Sequence, residues 1–200
     1  MSLSIVVLGL SITSSWGNGH ATTYRALLRA LAARGHTITF IERDVPWYRD
    51  HRDVAAADYC DIQLYQSLDE LAHHAAQVRD ADLVIVGSYV PDGIAVSEWA
   101  LSCARGVTAF YDIDTPITLS ALVNGSCSYL SAALVPRFDI YLSFSGGPAL
   151  IMLEEVYGSP AARPLYCSAE MQPDTEPRAM RWSLGYLGTY SEDRQPTLDR

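Results

Sequence analysis

The segment best equipped for chemistry is Gly9-Leu10-Ser11-Ile12-Thr13-Ser14-Ser15-Trp16-Gly17-Asn18-Gly19-His20, which joins an apolar run to an amphipathic one and ends in an imidazole. A histidine at the start of a helix faces the positive end of the helix dipole and free backbone amides, and both disfavour its protonated form. A neutral imidazole near pH 7 is what a general base requires. Two carboxylates, Asp112 and Asp114, follow the run Val107 to Tyr111 and reach the same edge if the strands are parallel. Either one, accepting from a ring nitrogen, would orient the ring and stabilise the imidazolium formed on proton abstraction. The plainer reading of His20 is a turn or capping histidine without catalytic work.

Around this candidate trio lies a candidate ligand-binding set of Ser15, Trp16, Gly17, Asn18 and Gly19, with Tyr89 and the turn Ser145, Gly146, Gly147. The glycine turns can offer backbone N–H groups to an anion or simply supply positive-φ geometry. Trp47, Tyr48, Tyr89, Trp99 and Tyr111 crowd loops and strand ends, where aromatic faces either stack on sugar rings or pack as core. A dinucleotide fingerprint requires Gly-x-Gly-x-x-Gly directly after the strand, and Gly9, Gly17 and Gly19 lack that spacing, although Glu42 stands where a ribose carboxylate would. No metal site is expected: His73 and His74 read as surface residues, and Asp50, His51 and Asp53 as a solvated charge cluster.

The elements that must position these residues alternate between strand and helix along the chain. Strands are predicted at Ser4 to Leu10, His36 to Glu42, Asp61 to Tyr65, Asp82 to Gly87, Val107 to Tyr111, Asp139 to Phe144 and Pro164 to Ser168. A helix over Ala21 to Ala33 carries Leu27, Leu28 and Leu31 on one face and stops at Gly35. Further helices are expected from about Leu68 to Arg79, with Ser67 and Glu70 as a capping box, from the Ser88–Gly93 turn to near Gly106, and from Pro148 to about Tyr157. Ile117 to Pro136 reads as mixed, with a short helix around Leu130 to Val135. The fold class is α/β: a Rossmann-like open parallel sheet with helices on both faces, in three layers.

Composition narrows the chemistry. The formal charge is -9, all 14 basic residues are arginine, and there is no lysine. A P-loop enzyme would lack its phosphate lysine, and Schiff-base chemistry would lack its amine. The acidic balance, with no basic stripe, leads to the expectation of no nucleic-acid partner. Cys60, Cys103, Cys127 and Cys167 are widely spaced and read as buried thiols in a reducing, cytoplasmic compartment. No apolar run approaches the roughly 20 residues of a transmembrane segment.

Three stretches follow from the composition: 1–170 as a Rossmann-like domain, 171–181 as a proline-bearing charged linker, and 182–200 as the start of a truncated second domain.

The run Ile5 to Leu10, then Ser15-Trp16-Gly17-Asn18-Gly19-His20-Ala21-Thr22-Thr23-Tyr24-Arg25-Ala26-Leu27, Arg34-Gly35-His36 and Thr39-Phe40-Ile41-Glu42-Arg43-Asp44, resembles the amino-terminal half of GT-B glycosyltransferases. It is most similar to the CgeB-like and bacterial family-one group. Leu184-Gly185-Tyr186-Leu187-Gly188-Thr189-Tyr190-Ser191 and Asp193-Arg194-Gln195 resemble the entry to that group's second domain. The resemblance implies an acceptor-binding amino-terminal domain, a small-molecule or glycan acceptor, and no cofactor beyond a nucleotide-sugar co-substrate held by a carboxyl-terminal donor domain. It implies that the chain is inactive alone. His20 with Asp112 or Asp114 would be the acceptor base of an inverting member, whereas retaining members need no such base. A nonenzymatic α/β binding domain is the competing reading, a NAD-dependent oxidoreductase ranks third, and a homodimer is compatible with either leading reading.

Overall fold

The computed structural model of the chain describes residues 2–169, 192 and 195–198. It divides at residue 170 into a large unit and a second unit, 171–200. In the large unit β1 (Ser4–Gly9), β2 (Thr37–Arg43), β3 (Asp61–Tyr65), β4 (Leu83–Gly87), β5 (Val107–Asp112), β6 (Ile140–Ser143) and β7 (Ala162–Pro164) form one sheet. Every pairing is parallel, and the order is β3-β2-β1-β4-β5-β6-β7. The α/β architecture expected from the sequence is the one that forms.

The central strands are apolar without interruption because both of their faces are covered. Successive residues alternate between two cores. Ile5, Val7, Phe40, Ile85 and Tyr111 meet Tyr24 and Leu28 of helix α1 (His20–Ala32) on one face. Val6, Leu8, Val84, Val86 and Phe110 face the other core. There they meet Val78 of α3 (Ala75–Asp80), Val96 and Ala100 of α4 (Gly93–Cys103), Leu119 of α5 (Thr115–Val123) and Leu153 of α6 (Pro148–Glu155). A short helix, α2 (Pro46–Arg49), begins on a proline that presets its first turn.

Several local expectations change. The buried stripe of α1 is His20, Tyr24 and Leu28 at four-residue spacing, and Leu27 and Leu31 are only partly buried. The helix expected from Leu68 to Arg79 is a 3-10 helix, Leu68–His74, followed by α3. Neither half of its capping box forms: Ser67 makes no side-chain cap, and the Glu70 carboxylate accepts at 2.7 Å from the amide of Gln66, one residue ahead of the cap. Instead of a helix at 130–135, α5 occupies Thr115–Val123 and only a 3-10 turn, Val135–Arg137, follows. Strand β7 lies at Ala162–Pro164, ahead of its predicted place.

The thiols are free, but Cys60 alone of the four is buried, and Cys167 is exposed. Among the described residues no helix is long and apolar enough to cross a membrane. In the second unit Gln195–Leu198 forms a helical turn, α7, around Pro196. The expected linker 171–181 and the strand signal at Leu184 to Tyr190 lie outside the described residues.

Candidate active site at the strand switch

The loop after β1 is fixed from below and from the side. β1 ends on Gly9, where a Cβ would stand 2.2 Å from the Phe40 ring. Glu42, near the end of β2 and fully buried, accepts from the amides of Ile12 (2.7 Å) and Thr13 (3.0 Å). It also accepts from the hydroxyls of Thr13 (2.6 Å) and Ser11 (3.1 Å). A buried carboxylate costs several kcal/mol unless donors surround it, and these four do so. Glu42 is thus committed to the loop and does not stand free for a ribose.

From the side, Arg25 donates to the Ile12 carbonyl at 3.0 and 2.8 Å and pairs with Asp53 at 2.5 Å. That guanidinium, by hydrogen bonding, holds the Asp53 carboxyl down at about 2, and the Ser15 hydroxyl adds to the effect. Asn18 closes the loop: its carboxamide donates to the Ser14 carbonyl (3.1 Å) and accepts from the Ala21 amide (3.0 Å), which caps α1.

Strand order reverses direction between β1 and β4, and the exits of two such strands leave a crevice at the carboxyl edge of an open sheet. His20 stands on one bank, as the first residue of α1. Tyr89, in the turn after β4, stands on the other. Tyr89 and Asp92 have φ of 62° and 54°, a left-handed backbone that residues with a Cβ seldom adopt. Contacts hold this turn: the Tyr89 ring lies 4.5 Å from Tyr129 and edge-on to His20 at 5.4 Å, and Asp92 pairs with Arg43.

A cavity of about 370 Å³ opens here, floored by Leu10 and by Gly17, Asn18 and Gly19. His20, Tyr48, Tyr89 and Asp114 form its walls. His20 is 8% exposed, and its Nδ1 is buried without a hydrogen-bond partner. The ring edge carrying Nε2 is the one left to meet a ligand. Burial lowers the His20 pKa below its ordinary value, and the nearby Asp114 carboxylate opposes that shift. Burial thus favours the neutral imidazole, and the Asp114 carboxylate is close enough to stabilise the charged form.

Of the two candidate carboxylates, only Asp114 reaches the cavity. Asp112 is fully buried beneath it and accepts from Tyr141 Oη (2.7 Å), Thr118 Oγ1 (2.8 Å) and the Asp114 amide (3.0 Å). Burial raises its pKa despite those donors. Asp112 ties β5, α5 and β6 together and so places Asp114.

Ser145, Gly146 and Gly147 leave the sheet from β6, two strands beyond β4, and do not line the cavity. Ser145 instead joins a polar cluster in which the Ser143 hydroxyl donates to the Ser145 carbonyl (2.7 Å). Ser15 is held by Asp53, and Trp16 stacks on His51 with centroids 4.3 Å apart, exposed beside the cavity. Tyr48 belongs to the site, and its only sequence signal was its place in an aromatic pair after a strand. Among the described residues no group of three or more His, Cys, Asp or Glu gathers as for a metal ion.

No known family profile matches the chain, and no curated protein sequence does. Solved structures do resemble it. One is an alpha-glucosyltransferase in complex with UDP and a 13-mer DNA containing an HMU base, at TM-score 0.55 and 15% identity over 82% of this chain. A second is an alpha-glucosyltransferase in complex with UDP-glucose and DNA containing an abasic site, at TM-score 0.55 and 16% identity over 82% of this chain. The chain spans 42% of the length of each.

These neighbours overturn the expectation of no nucleic-acid partner, because proteins of this fold are seen in complex with DNA. The physical reason is that net charge sums over a whole surface, whereas phosphate contacts depend on a few local cations. The likeness at this identity is one of architecture: the chain shares a Rossmann-like α/β fold with these alpha-glucosyltransferases.

Proposed function

We propose that this chain is the amino-terminal, acceptor-side domain of a nucleotide-sugar-dependent glycosyltransferase of the CgeB-like and bacterial family-one kind. The observation that carries the reading is the half-enclosed pairing of His20, whose charged form burial disfavours, with Asp114 in a cavity at the strand switch. In the inverting form of the reaction an acceptor hydroxyl in that cavity gives its proton to His20 Nε2 as its oxygen attacks the anomeric carbon. The bond from that carbon to the diphosphate oxygen breaks, and the nucleoside diphosphate leaves with the electron pair. Asp114 stabilises the imidazolium so formed. The diphosphate site falls to the remaining part of a two-domain enzyme, so residues 1–170 alone transfer nothing. The thiols suit a reducing, cytoplasmic setting.

The test is sugar transfer from UDP-glucose and other nucleotide-sugars by a protein extending beyond residue 200, alongside the 200-residue chain. Acceptors should include glycans and DNA, since the neighbours are complexes with DNA. Turnover by the longer protein and none by the chain is expected, and robust turnover by the chain alone contradicts the reading. One observation favours a second reading, a nonenzymatic binding domain: no carboxylate hydrogen-bonds His20 Nδ1. Under that reading the longer protein binds acceptor and consumes no sugar nucleotide.

A further inference from the structure

The charges around the cavity sort its ligands. Among the described lining residues Asp114 is the one acid, and burial disfavours the charged form of His20. Among the described residues no arginine lines the cavity, and the chain has no lysine. The arginines carried by the neighbouring turns and by the start of α1 are each engaged. Arg25 is on Asp53 and the Ile12 carbonyl, Arg43 on Asp92, and Arg49 and Arg52 on Asp44. The remaining attraction for an anion is the amino end of α1, and there Asn18 already accepts from the Ala21 amide. A helix end carries about half a charge, screened within one turn, against the full charge of Asp114. The walls are otherwise the rings of Tyr48 and Tyr89 and the side chain of Leu10, which suit the C–H face of a sugar or another flat ring.

We infer that this cavity takes a neutral or cationic ring bearing hydroxyl or amino groups, and rejects carboxylate- and phosphate-bearing groups at the same position. The inference rests on the reading of the cavity as an acceptor site and names the class of acceptor. It removes one role considered for the Gly17-Asn18-Gly19 turn: the turn shapes the floor and caps α1 rather than cradling an anion. An anionic acceptor, if one is used, keeps its charge outside the cavity.

Three probes of one ring size test this on the 200-residue chain: methyl glucoside, glucosamine and glucuronate, followed by NMR at the His20 imidazole and the Asn18 carboxamide. Glucosamine is expected to bind tightest and methyl glucoside next, with glucuronate weaker than methyl glucoside by about tenfold, the scale of one nearby charge. Asp114→Asn should abolish the preference for glucosamine and narrow the gap to glucuronate. Glucuronate binding as well as methyl glucoside, no perturbation of either residue by any probe, or an unchanged order in Asp114→Asn overturns the inference. If Asp114→Asn does not fold, the order in the unaltered chain decides. The transferase reading fails on a different result, absence of sugar-nucleotide turnover by the longer protein, whatever the order of the probes.

Discussion

The imidazole of His20 meets the ring of Tyr89 edge-on at 5.4 Å, across the crevice where the strand order reverses between β1 and β4. One ring opens a helix and the other sits on left-handed backbone, so the two banks of the cavity are set by independent local structures. The consequences can be measured one residue at a time.

His20 should titrate below the ordinary histidine value of 6.5, because burial disfavours its charged form. The sign for stability follows. The unfolded chain binds the proton more readily, so the contribution of His20 is complete above pH 6.5 and is lost as pH falls from there through the folded pKa. Asp114 opposes the shift, so Asp114→Asn should lower the His20 pKa further. Histidine Cε1 shifts followed by NMR between pH 4 and 8 check both, and an unchanged or raised value in Asp114→Asn removes Asp114 from the site.

Tyr89 at φ 62° is strained in a way that glycine would not be. Tyr89→Ala loses the ring contacts and keeps the strain, whereas Tyr89→Gly loses the same contacts and relieves it. The glycine variant should be more stable than the alanine variant by about 1 kcal/mol in urea unfolding, the reverse of their usual order. An alanine variant as stable as the glycine variant would mean that the turn relaxes to ordinary backbone.

Glu42→Gln should loosen the first loop. A carboxamide offers one acceptor oxygen where the carboxylate serves four donors, and it turns an N–H₂ toward others. The expected loss is about 2–4 kcal/mol of stability, with faster exchange of the Ile12 and Thr13 amides. Unaltered exchange at those two amides would show that the carboxylate does not organise the loop.

Gly87→Ala would put a methyl group 2.0 Å from the Tyr24 hydroxyl, a fully buried group without a hydrogen-bond partner. Overpacking of this kind costs about 1–3 kcal/mol. Tyr24→Phe removes both the obstacle and an unsatisfied polar group, so it should rescue most of the loss in the double variant. Additive losses in a double-mutant cycle would contradict the contact.

The sequence announced the sheet through its apolar runs, and placed His20 at the start of α1, because strand period and helix onset are local properties. What it left open depends on folding back. Asp112 and Asp114 are two residues apart and chemically alike, yet β5 sends one beneath the sheet edge to Tyr141 and Thr118 while the turn carries the other to the cavity. α5 lies in the stretch read as mixed: it has no polar face to give a helical period, and its Pro116 sits in the first turn, where proline fits a helix. Tyr48 and Glu42 gain their places from contacts with the loop after β1, which no spacing rule encodes.

The central claim, that His20 accepts the acceptor's proton, is tested most directly by His20→Ala in a protein extending beyond residue 200, under saturating acceptor and donor. The account predicts a kcat lower by about 10²–10⁴ with acceptor affinity nearly kept. An unchanged kcat would contradict it and leave His20 as a wall of the cavity and nothing more.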